Sequence, residues 1–568
     1  VGVIAYYPTA LLGIHTTHTG RSVAFVLLGA STALAFLLRP ASPQPTRIAF
    51  LNEGGLDWER PHLGEFGDFS GGMFGLLPVY LMKAGFKVNA ISIDDVTPER
   101  LLDLDVVVII NNPRKWDDKQ RRTLRDYMQR GGSTLVLADH TNVFGLRDGL
   151  NTLCNDYGIE IRDDSAYPLV RPIDNVAAPA LFPAAMQSVR FRLSHGIGAS
   201  LAIGPTVAPL AQSRYCFSDS ADHNNWHGAY LGNYSLDKGE PLGDLTLAAW
   251  LPVGEGKFAV YGDTSAFQNS ALEETFETHV RPMLCWLSSG VFWWQRCAGQ
   301  CVSACVLAML ALGAALLGRG SELCLFLSGL VCSAALVLCA YRHDRPGRVQ
   351  DVIIDNSHMP WTGNYYARMN YCSPLTMALE RCGLNTTVCD SFDGEALQHA
   401  RAFVTIAPRA EYSPSEVSTL LSYMNAGGVV LAVCGREQDG WASLLHGIGE
   451  ELLPVPLGHL PIQSVDVDRT SPRFVSAWPI TATPLLESIE ERHSLVEPHG
   501  QNVAIYRTVG SGGMVVIGDS RFCSTTNTED SWGAWPGNTR LLTSIIMRYL
   551  GGDPEQVVDV WPSPLKPR

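Results

Sequence analysis

The sequence predicts an α/β membrane protein in which two tandem, doubly wound domains flank a transmembrane helical hairpin. Three observations carry this expectation. Apolar strand-like runs alternate with helix-length segments, one block of that pattern recurs, and three stretches are more apolar than any water-facing helix needs to be.

The apolar stretches are residues 22–39, 301–318 and 322–341, nearly free of charge and close to the roughly 20 residues that cross a bilayer. The second and third are separated only by Arg319, Gly320 and Ser321, which reads as a tight hairpin, and Phe292, Trp293, Trp294 and Arg296 precede it as an interfacial belt. A hairpin returns the chain to the side it left, so the polypeptide before and after it is expected on one face of the membrane. The basic residues disagree about which face. Arg39, Arg47, Arg296, Arg342, Arg345 and Arg348 favour the cytoplasm for the large domains, while Arg21 and Arg319 favour the opposite. The chain opens at Val1 in an apolar segment without a charged signal-peptide start, which reads either as a processed start or as an absent beginning, with room for a further helix there. The organisation that follows is a membrane segment at 1–46, a first α/β domain at 47–292, the hairpin region at 293–345 and a second α/β domain at 346–568.

The repeat is read by laying the two domains side by side. Each begins with a strand, RIAFL at 47–51 and VQDVIID at 349–355, then reaches a helix that ends LMKAGF at 81–86 or LERCGL at 379–384. Gly85 and Gly383 read as helix stops, followed by the strands KVNAIS and NTTVCD. A third strand closes on proline each time, at 106–113 and 402–408. Asp117 and the pair Ser413-Pro414 then start a second helix, which ends Tyr127-Met128-x-x-Gly131-Gly132 or Tyr423-Met424-x-x-Gly427-Gly428 before a fourth strand. The copies meet again at KFAVYGDTSAF (257–267) and MVVIGDSRF (514–522), each ahead of a last helix. Residues 190–245, rich in Gly, Ser, His and Asn, read as inserted loops or added strands of copy one, and the repeat is not expected to extend there.

Composition removes several function classes. Forty-two Lys and Arg against 56 Asp and Glu give a net charge of −14, with no basic run, so nucleic acid is not an expected partner. The 14 cysteines include no CxxC pair and no Cys/His spacing suited to zinc. Neither a phosphate-binding Gly-x-x-x-x-Gly-Lys-Ser/Thr loop nor a Gly-x-Gly-x-x-Gly turn occurs, so the chain is not expected to be an ATPase, and no cofactor is expected.

The order strand, helix, strand, strand, helix, Gly-Gly, strand, with a later strand ending Gly-Asp-Ser/Thr, resembles the class I glutamine-amidotransferase-like fold, a flavodoxin-like arrangement. It is most similar to the non-catalytic branch found in gliding-motility-type ABC-transporter accessory proteins, an intraflagellar-transport subunit and bacterial membrane proteins. The resemblance implies an extracytoplasmic position for both domains. It also puts Cys434, in Leu431-Ala432-Val433-Cys434-Gly435-Arg436, at the nucleophile position of the amidotransferases. Ala432 and Arg436 stand where that family has glycines, and Gly518-Asp519-Ser520 stands where it has His-Pro-Glu. A thiol without a neighbouring imidazole is poorly activated, so Cys434 is expected to be packed and inert. Copy one has Ala138-Asp139-His140-Thr141 at the same turn.

Strand ends of an open parallel sheet are its usual ligand-binding edge. Asp139, His140 and Asp263 in copy one, with Asp519 in copy two, are therefore the candidate ligand-binding residues; the alternative is that they cap the adjoining turns. His223 and His227, four apart after Asp222, are a weak candidate metal pair in what otherwise reads as a loop. Glu53, Asp57, Glu59, Glu65 and Asp68 read as a solvated acidic loop rather than a hydrolytic pair. Trp361 in the matching loop of copy two would meet sugar or protein if exposed.

Small residues in the hairpin (Ser303, Ala304, Gly313, Ala314, Ala315, Gly329) suit close helix packing in lipid. The expected function is a non-enzymatic accessory or scaffold subunit whose partners are the bilayer and other membrane proteins of a larger complex. The alternatives are a membrane-anchored carbohydrate- or peptide-binding module and a Cys434-dependent hydrolase or amidotransferase.

Overall fold

The computed structural model describes residues 46–288 and 351–554, apart from 52–55, 62–72, 113, 143–144, 169–176, 180–197, 214–215, 223–231, 270, 359–372, 461–470, 484–490, 525–526 and 531–532. The apolar stretches 22–39, 301–318 and 322–341 lie outside the described residues. Among the described residues no helix is long and apolar enough to cross a membrane.

The first half of the chain supplies β1 (Arg47–Leu51), α1 (Leu76–Lys83), β2 (Lys87–Ile91), β3 (Val106–Ile110), α2 (Asp118–Gln129), β4 (Ser133–Leu137), α3 (Leu146–Cys154), β5 (Ala177–Pro179), β6 (Ala208–Ser213), β7 (Thr246–Val253), β8 (Gly256–Tyr261) and α4 (Arg281–Ser288). A short helix, Leu272–Thr275, leads through a π-helical turn, Phe276–Val280, into α4. The second half supplies β9 (Val352–Asp355), α5 (Ser373–Arg381), β10 (Thr386–Cys389), β11 (Ala402–Ile406), α6 (Pro414–Asn425), β12 (Val429–Val433), α7 (Ala442–Gly447), β13 (Arg492–Val496), β14 (Ala504–Val509), β15 (Gly512–Ile517) and α8 (Pro536–Tyr549).

These strands form two sheets of the same order, β2-β1-β3-β4-β8-β7-β6-β5 and β10-β9-β11-β12-β15-β14-β13. The first five strands of each run parallel and the remainder antiparallel. The order 2-1-3-4-5 is that of a doubly wound sheet, with its switch point between the first and third strands. Both faces are covered, as the near-continuous apolar strands require. Ile48 and Phe50 of β1 pack with Leu77, Leu81 and Leu284 on one face, while Ala49 and Leu51 join Leu124, Met128 and Leu150 on the other. In the second sheet Val352 lies with Leu379 and Ile546, and Ile353 with Leu420, Met424 and Leu444.

The local signals of the repeat act alike in both copies. Asp117 and Ser413 each complete a capping box, with Gln120 and Glu416, at the head of α2 and α6. Gly131 and Gly427 both take φ 107°, closed to most side chains, and turn the chain from helix into strand. The likeness also runs further than the sequence reading placed it, because an antiparallel pair whose second strand lies inside copy one's extra sequence, Ile159–Ile161 with Leu201–Ile203, matches Glu450–Leu452 with Ile480–Ala482. Side-chain periodicity could not show this, since strands of three residues carry almost none. Further strands of the first half, among the described residues, are β6 and a separate sheet of Asp164–Pro168, Cys216–Ser220 and Leu242–Gly243. Cys154, Cys216 and Cys285 are free thiols.

The two halves meet along α1 and the Leu272–Thr275 helix of the first and α5 and β10 of the second. Tyr80 is buried there. Its hydroxyl oxygen lies 3.0 Å from Thr386 O and 3.2 Å from Glu380 Oε1, and accepts from Thr386 N at 3.1 Å. Its ring lies 5.1 Å from that of Phe276. Glu273 and Glu380 face one another in the same buried space, and burial, reinforced at Glu273 by the charge of Glu380, pushes both carboxyls up, Glu380 to about 8. At the rim Lys83 Nζ sits 2.7 Å from Asp351 Oδ2 and donates to Asn385 Oδ1 at 3.0 Å.

Candidate functional site

The parallel strands deliver their loops to one edge of each sheet. In copy one Leu137 pairs with Tyr261, so Asp139 and Asp263 emerge two residues beyond a shared register position. In copy two the same geometry sets Gly435 opposite Asp519, beyond the pair Val433 and Ile517. Cys434 thereby matches Ala138, and the backbone agrees: Ala138 N donates to Tyr261 O at 2.8 Å and Cys434 N to Ile517 O at 2.9 Å.

Asp139 Oδ1 accepts from Thr141 N at 2.8 Å and from Thr141 Oγ1 at 2.7 Å, a turn that its own side chain closes. Asp263 is buried and its Oδ1 accepts from Ser265 N at 2.9 Å and Ser265 Oγ at 2.8 Å. His140 is half-buried at the same edge. Asp519 is fully buried, and its carboxylate gathers Val475 N at 2.5 Å, Ser476 N at 3.4 Å and Arg521 N at 3.0 Å. Burial nevertheless pushes its pKa up to about 6. His223 and His227 lie outside the described residues, as do Glu53, Glu65, Asp68 and Trp361. Among the described residues no cluster of three or more His, Cys, Asp or Glu is arranged to hold a metal ion.

Around Cys434 the turn is filled from within. The thiol is fully buried, and burial together with the Glu437 carboxylate raises its pKa well above the ordinary thiol range. Glu437 folds back over Gly435: a Cβ there would lie 2.2 Å from Glu437 Oε2 and 3.1 Å from the Trp478 ring. Trp478 Nε1 donates to Glu437 Oε1 at 3.2 Å and Ser520 Oγ to Glu437 Oε2 at 3.0 Å. Arg436, at one of the expected glycine positions, donates from Nε to Leu452 O at 3.1 Å.

A second cluster, which the sequence reading missed, occupies the switch point of copy two between β9 and β11. Asp355, the last residue of β9, accepts from Ser357 N at 2.9 Å and Ser357 Oγ at 2.6 Å on Oδ1. Its Oδ2 lies 2.7 Å from His358 Nδ1 and accepts from Tyr412 Oη at 2.5 Å. The His358 ring stacks on Tyr412 with centroids 3.7 Å apart, and its Nε2 faces Glu416 Oε2 at 3.6 Å. Ser357 Oγ is 3.0 Å from Nδ1, the nitrogen that already faces Asp355, so the trio is not a Ser-His-Asp relay, which needs the hydroxyl on the far nitrogen. A carboxylate facing each nitrogen favours the protonated imidazolium over the free base. The cluster instead ties the loop after β9 to the head of α6. The signal was present as Asp355 followed by Ser357-His358, but Tyr412 and Glu416 join it from some 55 residues away.

This cluster predicts a pH window for stability. Despite burial, hydrogen bonding and charge raise the His358 pKa above 6.5 and lower those of Asp355 and Glu416 below 3.8 and 4.5. The His358 contribution is complete below 6.5 and is lost as pH rises through its folded value. The carboxylate contributions are present above their ordinary values and lost as pH falls. Urea unfolding of His358→Gln is therefore expected to differ most from the parent between about pH 5 and 6.5 and to converge with it as pH rises through the folded value of His358. A difference that does not change with pH would reduce His358 to a packing residue.

Comparison with known proteins finds one family model and several solved structures that the chain resembles in part. A family described as Domain of unknown function (DUF4350) matches residues 77–277, about a third of the chain. No curated protein matches it. Among solved structures the chain is similar to the mmIFT52 N-terminal domain, at 15% identity and TM-score 0.31 over 44% of this chain and 99% of that one. It is similar to Cytoplasmic Protein STM1381 from Salmonella typhimurium LT2, at 15% identity and TM-score 0.28 over 43% and 99%. It is also similar to the exo-beta-1,4-mannosidase Op5Man5 from Opitutaceae bacterium strain TAV5, at 11% identity and TM-score 0.24 over 39% of each chain. Each likeness covers less than half of this chain and carries no activity across.

Proposed function

We propose that this chain is a non-enzymatic, membrane-anchored accessory or scaffold subunit that displays two amidotransferase-like domains on one side of the bilayer. The observation that carries the reading is the closed nucleophile turn. The position holds Ala138 in one copy and a sealed thiol in the other, and the charged group beside that thiol is Glu437, which opposes formation of a thiolate. Glu437 and Trp478 cover Gly435, the backbone that an acyl-transfer site would leave open for an oxyanion. A fold that keeps the scaffold of a site and fills it is suited to presenting surfaces.

Two measurements test this. Extraction from the native membrane in mild detergent, followed by size separation and mass spectrometry, is expected to show the chain migrating in fixed ratio with other membrane proteins; a lone chain would overturn the subunit reading. A thiol-reactive glutamine analogue is expected to leave Cys434 of the folded protein unmodified, with Cys434→Ala leaving the assembly intact. Stoichiometric labelling of Cys434 would restore the enzyme.

A further inference from the structure

The described chain reaches the three candidate spans from one place. Thr46, just before β1, and Ser288, the last residue of α4, lie with their hydroxyls 3.4 Å apart. Two groups at the starts of parallel strands hold the end of α4: Ser133 Oγ donates to Leu287 O at 2.8 Å, and the buried Lys257 Nζ donates to Trp286 O at 2.8 Å. Asp351, just before β9, meets Lys83 at the end of α1, and Lys87 at the start of β2 donates its N–H to Thr46 O at 2.9 Å. Thr46, Ser288 and Asp351 are thus all at the edge where parallel strands begin. Lys83 joins that edge of the first sheet to the same edge of the second.

The lengths of the intervening sequence make this placement consequential. Residue 39 ends the first candidate span and Thr46 begins the fold, so the six residues between, Pro40, Pro43 and Pro45 among them, reach no more than about 25 Å even fully extended. Residues 342–350, between the hairpin and Asp351, number nine and reach about 35 Å, so the first connection is the tighter constraint. A domain turned over, with strand C-termini toward the lipid, would make the first connection spend roughly 17 Å passing a five-residue strand, leaving under about 10 Å for the loops beyond it.

We infer that both domains stand with the N-terminal edges of their parallel strands toward the bilayer and their C-terminal edges, carrying Asp139, Asp263, His358 and Glu437, turned away from it. The surface offered to lipid is then the edge of strand starts that carries Thr46, Ser288 and Asp351. The opposite edge is the one free to meet a partner in water. This orientation rests on the membrane-anchored reading above.

The full chain, reconstituted into phosphatidylcholine vesicles that carry a headgroup spin label, tests it. A fluorescent amino acid is placed singly at the two ends of β3, at Asp103 and Lys115, and at the two ends of β11, at Arg401 and Glu411, all exposed positions. Quenching several-fold stronger at 103 and 401 than at 115 and 411 is the expected result. A chain that floats with the vesicles yet is quenched equally at both ends, or more at 115 and 411, overturns the orientation alone. A chain that does not float with vesicles overturns the membrane-anchored reading, and the orientation with it.

Discussion

Replacing Glu380 by Gln is expected to stabilise the protein above about pH 8, by an amount that vanishes below pH 5. Glu380 is buried against Tyr80 and Thr386, and the groups that face it are Tyr80, Glu273 and, through Glu273, Glu274, with Lys83 and Asp351 at the rim. Two carboxyls and a phenol with little water between them cannot all ionise, so the joined halves favour the protonated acid. A carboxyl whose pKa rises on folding stabilises fully below its ordinary value of 4.5, and that contribution is lost as pH rises through about 8. Glutamine keeps a donor and an acceptor for Tyr80 and Thr386 but has no proton to lose. The difference at pH 9 should be on the order of a few kcal/mol, because each tenfold change in proton affinity on folding is worth about 1.4 kcal/mol. The rim pair of Lys83 and Asp351, partly exposed, adds little. Thermal unfolding of parent and variant between pH 5 and 9 decides the matter: parallel curves would mean that Glu380 is already charged in the folded protein.

Gly512→Ala should cost several kcal/mol and unfold the second domain while leaving the first standing, and Gly256→Ala should do the reverse. A Cβ on Gly256 would lie 1.7 Å from Gly132 O, and one on Gly512 2.0 Å from Gly428 O. Both obstacles are backbone carbonyls at the start of a neighbouring strand, so no side chain can rotate away and the sheet itself must part. Gly85→Ala is the contrast. Its φ of +87° disfavours a side chain, but nothing lies within 4 Å, so about 1 to 2 kcal/mol is expected. Calorimetry with two resolved transitions would show which domain each variant removes; equal effects of all three would reject packing as the cause.

The parts legible in the sequence are those that short-range chemistry writes. The capping boxes at Asp117 and Ser413, the diglycines, and the runs VVVII and AFVTI each announce themselves within about a dozen residues, and their recurrence gave the two sheets. Asp139, Asp263 and Asp519 were placed at strand ends because strand ends follow from the strands. Tyr80 and Thr386, 306 positions apart, touch because two complete domains dock, and neither residue is unusual where it stands. Glu437 was visible beside Cys434, yet that its side chain folds back over Gly435 depends on Trp478 and Ser520 arriving from other strands.

The closeness of Thr46 to Ser288 means that the first domain begins and finishes at one point. Such a unit can be copied in tandem or spliced into another chain without rethreading anything, since its host needs to supply only two adjacent ends. Duplication of an ancestral single-domain gene would then have needed no new fold. It would have needed only that one copy's α1 and the other's β10 come to fit.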